Sequence, residues 1–383
     1  MEPVKGFKDV IGEEALKREA IQKIIVDTFK LYGFEPAETP VIEYEQFVKG
    51  NNETDEAVSD IFKLKDRGER NLALRYEFTF QLKRLAKNEK LPYKRYQIGA
   101  VFRDEPVSAN RFRQFTQCDV DIIGSTIKED AEILALTKEI FEKLGIKSSI
   151  FINNRKLLNE ILESLNIPEK NKAQVMREID KLGKLPEKEI ISNLKKYNAE
   201  KLISMLKNKK EYFKKFKSFG EIEELEKYCK MYGIKTEFLP SLVRGLSYYN
   251  GSIFEIMGSA KESIAGGGSY LINEIQSTGI SFGLDRLELI SKEEYENKNI
   301  LIISLNRDKE AITLCNELRN NIIPCTLMYG KISKALEYAN SKKIPYTLIM
   351  GEKEAKKGKL TLKDMKSGKE ELVDVKEIVK KVY

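Results

Sequence analysis

The sequence predicts an α+β chain in three parts: a β-rich domain, a helical insertion within it, and a small α/β domain at the end. Three observations carry this. Two β-rich stretches, YQIGAVFRDE and FTQCDVDIIG, flank the polar turn PVSANR and read as a hairpin or long antiparallel loop. Residues from about 155 to 228 are almost wholly helical and rich in Lys and Glu. From residue 299 onward strands and helices alternate, the mark of an α/β domain. The boundaries drawn from these shifts are 1–297, with the insertion at about 155–228, and 298–383.

Taken in order, residues 13–32 form an amphipathic helix, with Leu16, Ala20, Ile21, Ile24, Ile25 and Phe29 at helical spacing and Gly33 as its C-cap. FEPAETPVIE is extended. Pro40 removes a ladder donor, so this strand belongs at an edge or an interface. LALRYEFT is strand-like, and a helical run follows from Phe80 to Lys87. Residues 127–144 make a helix and SSIFINN a strand. After the insertion, LVRGLSYYNGSIFEIMG and AGGGSYL return to strand character, and STGISFGLDRLELI is a glycine-rich strand entering a helix. Residues 288–298 form a linker. NILIISL, IPCTLM and IPYTLIMG then read as strands separated by the helices KEAITLCNELRNN and KISKALEYANSKK, and a lysine-rich hairpin and a short helix close the chain.

Composition narrows the chemistry. The chain has 383 residues, 41% of them apolar, enough for a sizeable core. The 67 basic and 60 acidic residues leave +7, which suits a polyanionic partner without requiring one. There is no histidine, which excludes imidazole general bases, Ser–His or Cys–His pairs and His metal sites. Cys118, Cys229, Cys315 and Cys325 form no CxxC pair, so neither a zinc knuckle nor a disulfide framework is indicated. The start, MEPVKGFKDV, has no apolar run for a signal peptide, and no stretch is long and apolar enough to span a membrane. The expected location is the cytoplasm, where scattered thiols stay reduced.

Three constellations stand out. VFRDE at 101–105 and NRFRQFTQCDVDIIG place Arg103, Glu105, Arg111 and Arg113 around one loop, with Arg111 and Arg113 on one face if extended. Such arginines can grip a phosphate or carboxylate through paired hydrogen bonds. On spacing alone, a charged outer sheet face is the simpler reading. In LVRGLSYYNGSIFE, Arg244 stands in an apolar strand context, with Tyr248 and Tyr249 on opposite faces if extended. A buried Arg needs an anion, whether a ligand or a structural Glu. In AGGGSYL and GISFGLDRL, consecutive glycines allow close backbone approach, and Arg286 follows a strand-to-helix junction suited to phosphate. Tight packing explains the glycines equally well.

The order of these segments resembles the class II aminoacyl-tRNA synthetases, and specifically the histidyl family. The first helix with GFEPAETPVIE resembles motif 1, VFRDE and RFRQF motif 2, and GISFGLDRL motif 3. LVRGLSYYNGSIFE resembles the RGLDYY peptide of histidyl enzymes, LRYEFT a histidine-binding segment, and QCDVDIIG the archaeal or eukaryotic members. The resemblance covers essentially the whole chain. It implies a catalytic domain with a mixed, mainly antiparallel sheet, a helical insertion clasping the tRNA acceptor arm, and a C-terminal α/β anticodon-binding domain. It implies histidine, ATP with Mg2+, and tRNA(His) as ligands, no protein-built metal site, and a homodimer formed through motif 1.

Residue by residue, the resemblance gives Arg103 the ATP α-phosphate, and Glu105 and Arg113 the adenine and phosphates. Arg286 takes the γ-phosphate, and Arg244 the α-phosphate and substrate carboxylate, work that a metal ion does in related enzymes. Glu77, Thr79 and Gln117 take the α-ammonium group. Asp121 and Tyr249 read the two imidazole nitrogens, with Tyr248 beside them. A site built to bond both nitrogens rejects analogues lacking them by roughly 10⁴–10⁵-fold without editing.

The chain departs from the family at Ser247 (usually Asp), at Ser269 and Leu271 (usually Arg and Asp), and in the loop PVSAN, which lacks basic residues. Loss of Asp at 247 together with Arg at 269 suggests a compensated pair. These departures admit a rival reading: a non-catalytic paralogue that senses histidine or tRNA, or a regulatory subunit of histidine biosynthesis. Residues 299–383 and Arg103, Arg113, Arg244 and Arg286 are all retained, which favours the ligase.

Overall fold

A computed structural model describes residues 1–49, 60–108, 111–244, 248–260, 262–292, 297–352, 354, 358–374 and 377–378. The chain divides into two compact units, residues 1–293 and 294–383. The first begins with α1 (Gly12–Leu31), β1 (Glu35–Pro36), β2 (Ile42–Tyr44), α2 (Glu45–Lys49), β3 (Lys63–Lys65), β4 (Asn71–Leu74) and α3 (Leu82–Leu85). There follow β5 (Tyr93–Phe102), β6 (Gln114–Ile123), α4 (Ile127–Lys143) and β7 (Ser148–Asn154). The helical stretch runs α5 (Arg155–Ser164), α6 (Glu169–Ile179), α7 (Glu187–Lys195), α8 (Lys201–Leu206), α9 (Lys210–Phe213) and α10 (Phe219–Met231). The unit closes with β8 (Thr236–Phe238), β9 (Tyr249–Gly258), β10 (Ser263–Ile272), β11 (Ile275–Gly283) and α11 (Leu284–Ile290).

Its main sheet has the order β1-β5-β6-β11-β10-β9-β7-β8. All neighbours from β5 to β7 are antiparallel, and β1 and β8 join the two edges in parallel, so the sheet is mixed and mainly antiparallel. Period-two alternation splits β6 between two tasks. Cys118, Val120 and Ile122 are fully buried toward the core, while Gln117, Asp119 and Asp121 share the other face. On the core side, α1 and α4 cover the sheet. Phe29 of α1 lies 5.1 Å from the Tyr96 ring, and Phe141 of α4 lies 5.8 Å from Phe282. α1 ends at Gly33, whose φ of +77° favours glycine. α4 begins with a capping box between Thr126 and Glu129.

The helices after residue 154 do not stand apart from the sheet. Ile161, Leu162 and Leu225 belong to one continuous apolar core with Ile152 and Phe254. FEPAETPVIE divides between two sheets, β1 entering the main one and β2 a small sheet of order β2-β4-β3. LALRYEFT is strand only as far as Leu74. There Arg75 turns inward, donating to the carbonyls of Ala100 and Thr39 at 2.7 and 2.8 Å, and the chain leaves the sheet. The helix expected from Phe80 to Lys87 is confined to Leu82–Leu85.

The second unit contains β12 (Ile300–Ser304), α12 (Asp308–Asn320), β13 (Cys325–Tyr329), α13 (Ile332–Ser341), β14 (Tyr346–Met350), β15 (Leu360–Asp364) and β16 (Glu370–Val373). The sheet order is β13-β12-β14-β15-β16, with β12 parallel to both neighbours and a closing antiparallel hairpin. β12 is apolar on both faces because both are covered. Ile300 and Ile302 pack with Ala311 and Leu314 of α12, and Leu301 and Ile303 with Ala335 and Ala339 of α13. The closing helix expected from the sequence lies largely outside the described residues. Among the described residues no helix is long and apolar enough to cross a membrane.

Candidate active site

A cavity of about 400 Å³ opens on the polar face of the main sheet. One end is cationic. Arg103, just beyond β5, stacks over the Tyr76 ring at 4.3 Å and the Phe115 ring at 5.0 Å, and donates to Gln117 Oε1 at 3.4 Å. The aromatic sandwich fixes the guanidinium and leaves its edge for an anion. Arg286, in the first turn of α11, donates to the carbonyl of Ser263. Arg244 pairs with Glu255 at 2.9 Å. Arg111 lines the same cavity and faces Glu105 at 3.6 Å.

The glycine run explains how Arg244 fits. A Cβ at Gly266 would overlap its guanidinium, and one at Gly267 would overlap the carbonyl of Gly279 on the neighbouring strand. Position 267 therefore needs glycine because backbone stands in the way, and at Gly266 a side chain would have to push the Arg244 guanidinium aside.

The other end carries carboxylates and phenols. Glu77 and Thr79 come from the irregular segment after β4, Gln117 and Asp119 from β6, and Tyr248 and Tyr249 from the start of β9. Burial pushes the Glu77 carboxyl up to about 8, with the charge of Asp119 adding to it and Arg103 opposing. Burial and then Asp121 push Asp119 up to about 7, against Arg95 and hydrogen bonds from Ser281 and Gln117. Burial, then Glu77, raises the Tyr248 phenol well above its ordinary value, while its hydroxyl bonds to Thr79. Three acids with raised pKa values in one recess form a place prepared for cations and N–H donors.

Of the residues expected from the sequence, Arg103, Glu105, Arg286, Arg244, Glu77, Thr79, Gln117, Tyr248 and Tyr249 line this one cavity. Two do not. Arg113 turns away, pairing with Asp104 at 3.1 Å and donating to the Glu105 carbonyl at 3.2 Å, while its backbone N–H is held by Gly6. Arg111 takes the place at the wall. Both arginines precede β6, so strand alternation does not govern them. Asp121 lies behind the wall: its carboxylate accepts from Tyr270 and sits 2.8 Å from Arg95, and the carboxylate on the wall is Asp119. Tyr248 and Tyr249 are not on opposite faces. Tyr248 sits in a turn before β9, and the two rings lie 4.8 Å apart, both facing the cavity. Arg244 likewise precedes the strand rather than lying in it.

The departures fall away from the cavity or outside the described residues. Ser269 is buried and donates to both Asp130 oxygens, at 2.9 and 3.0 Å, and Leu271 is exposed. Ser247 lies outside the described residues, as does part of the PVSAN loop. Sequence reasoning missed Asp119, Arg95 and Tyr270. Asp119 was signalled by its i, i+2 spacing between Gln117 and Asp121. The other two depend on cross-strand register, which has no local signal.

The model of a family described as Histidyl-tRNA synthetase matches residues 6–287, and one described as Anticodon binding domain matches residues 299–383. Histidine–tRNA ligase 1 of Bacillus cereus is 36% identical over 411 residues, spanning 97% of this chain and 94% of that protein. The histidine–tRNA ligase of Clostridium acetobutylicum is 32% identical, spanning 97% of each. Among solved structures, the histidyl-tRNA synthetase of Nostoc sp. superposes with a TM-score of 0.85 at 25% identity, covering 100% of this chain and 98% of that one. An ATP phosphoribosyltransferase regulatory subunit/histidyl-tRNA synthetase of Bacillus halodurans shares the fold, with a TM-score of 0.75 at 22% identity over 88% and 96% of the two chains.

Proposed function

The chain belongs to the histidyl-tRNA synthetase family, and on that premise we propose how its cavity carries the reaction of an ATP-dependent histidine–tRNA ligase. One observation carries the reading: arginines and buried carboxylates line one open cavity, as a nucleotide and an amino acid joined head to head would need. Glu77, Thr79 and Gln117 hold the α-ammonium group. Tyr249 serves one imidazole nitrogen with Tyr248 packed beside it, and the Asp119–Asp121 pair serves the other, Asp119 being the member on the wall. Two distinct ring nitrogens call for two distinct partners.

ATP, arriving with Mg2+ as its substrate complex, is placed by Arg103 at the α-phosphate and by Arg286 at the γ-phosphate. Glu105 assists at the adenine, with Arg111 in the role first given to Arg113. The histidine carboxylate attacks the α-phosphorus and pyrophosphate leaves. Arg103 and Arg244 meet the charge that develops on the α-phosphate oxygens, and orientation supplies the rest. The terminal ribose hydroxyl of tRNA(His) then attacks the carbonyl carbon, and AMP leaves. The unit matched as an anticodon-binding domain meets the tRNA anticodon, its lysines contacting phosphate.

Three finer points belong to the same proposal. α1 and the segment after it form a homodimer contact, which light scattering at micromolar concentration tests. A monomer there removes the dimer. The protein works in the cytoplasm. The archaeal- or eukaryotic-like affinity rests on the wording QCDVDIIG, whereas the relatives above are bacterial.

The deciding experiment is ATP–pyrophosphate exchange with each of the twenty amino acids. Exchange should depend on histidine and fall about 10²–10³-fold in Arg244→Ala. A folded protein that binds histidine without exchange would support the sensor reading instead.

A further inference from the structure

Among the described residues, Arg95 is the largest fully buried side chain. It lies on β5, directly across from Asp121 on β6. Its Nη2 is 2.8 Å from Asp121 Oδ2 and donates to the Phe78 carbonyl at 3.0 Å. Among the described residues, Nε and Nη1 meet no hydrogen-bond acceptor. A cation buried with unused donors is costly, and an apolar residue of similar volume would serve packing better. Its use therefore has to be sought in what it faces.

It faces two acids. Asp119 and Asp121 are two residues apart on one face of one strand, and both are buried. Burial works against the charge of each, and Asp121 adds its repulsion to Asp119. Arg95 is the guanidinium that opposes this at both. Beside Arg95, the surrounding elements supply neutral donors to the pair: Tyr270 from β10 to Asp121, and Gln117 from β6 and Ser281 from β11 to Asp119. Of the charged groups beside them, Glu77, after β4, is a further acid, and Arg103 lies at the cationic end with its aromatic sandwich. A protonated carboxyl offers a donor where an imidazole N–H needs an acceptor.

We propose that Arg95 is a positioning residue for histidine selection: from beneath the cavity it holds Asp121 in place and keeps the Asp119–Asp121 pair as acceptors for the imidazole N–H. The inference rests on the reading of this cavity as the histidine site. Nothing in it requires Arg95 to touch substrate.

The test is histidine-dependent pyrophosphate exchange across pH 5.5–9, with KM measured separately for histidine and ATP. Arg95→Met should raise KM for histidine while leaving KM for ATP in place. It should also move the acidic limb of kcat/KM for histidine upward by about 1–3 pH units, because carboxylates without their cation ionise later. Arg95→Lys, which keeps the charge, should restore most of the limb. Where Arg95→Met fails to fold, the cycle runs through Arg95→Met/Asp121→Asn, in which both charges are gone. Its histidine KM should match that of Asp121→Asn alone, the two changes being non-additive. Equal rises in both KM values without movement of the limb, or additive effects in the double variant, would overturn the proposal. If Asp119→Asn and Asp121→Asn both leave the histidine KM unchanged, the reading of the cavity itself fails, whatever Arg95 does.

Discussion

β6 and β12 are both interior strands, β12 buried throughout and β6 from Gln117 onward, yet they are built differently. β12 presents Ile300, Leu301, Ile302 and Ile303 to covered faces. β6 alternates Cys118, Val120 and Ile122 with Gln117, Asp119 and Asp121. The first arrangement is what burial alone favours. The second holds acids in a low-dielectric recess, at a cost to the folded state. On β6 that polar face lines the cavity at Gln117 and Asp119. The division holds beyond these strands. Glu77, Arg95, Asp119 and Asp121 cluster at the first sheet, whereas among the described residues the fully buried side chains of the second unit are apolar or hydroxyl-bearing, as at Thr347.

The largest expected effect tests the β12 side. Ile302→Ala should cost about 2–5 kcal/mol of the second unit's stability, because the cavity it leaves closes only in part. Calorimetry reads the loss. Histidine-dependent exchange should persist while aminoacylation falls, and loss of exchange as well would break the division of labour. On the β6 side, Gly266→Ala should displace Arg244 and lower exchange by about 10²-fold with little change in melting. An unfolded protein would show that the glycine serves packing rather than the site.

A proton count sharpens the contrast. The Glu77 pKa is raised from 4.5 to about 8 in the folded protein, so the empty site carries a proton at neutral pH. An arriving ammonium group favours the ionised acid. Histidine binding at pH 7 should therefore release protons, less so as pH rises past about 8, and Glu77→Gln should remove the release. Calorimetry in buffers of different ionisation enthalpy measures it, and no buffer dependence would count against Glu77 as the ammonium partner. Linkage has the same sign for stability. With folded pKa values raised at Glu77 (about 8) and Asp119 (about 7), their favourable contribution is complete below the unfolded values and is lost as pH climbs through about 7–8. The ligand-free protein should accordingly melt lower at pH 9 than at pH 6. The smallest effect concerns Asp130, whose pKa is raised by burial and which is held by Ser252, Thr278 and Ser269 rather than by a cation. Asp130→Asn should shift melting little, and more favourably as pH rises, since burial disfavours the charged carboxylate. A large loss would mean that these hydroxyls depend on the charge.

Much of this architecture was legible because its signals are local. The α1 periodicity with Gly33, the SSIFINN strand and the strand–helix alternation after 299 all depend on neighbours within a few residues, and all lie where the spacing puts them. The exceptions have a common cause in long-range contacts. LALRYEFT ends its strand early because Arg75 finds carbonyls on two other segments, and the helical stretch merges with the sheet because Ile161 and Leu225 reach its apolar face. The site follows the same rule. The family resemblance pointed to nine of the residues that line the cavity. It could not tell Arg111 from Arg113, or Asp119 from Asp121, since those choices are made by Gly6 and Arg95 across the fold.

The pressed glycines at 266 and 267 also act as a record of descent. Any substitution of a glycine brings in a Cβ, and at these two positions the space is already taken by Arg244 and by the backbone of Gly279. Lineages that keep the reaction should hold both glycines while positions such as 269 and 271 drift. A gene survey could then sort working members of the family from retired ones by two letters of sequence, without a single assay.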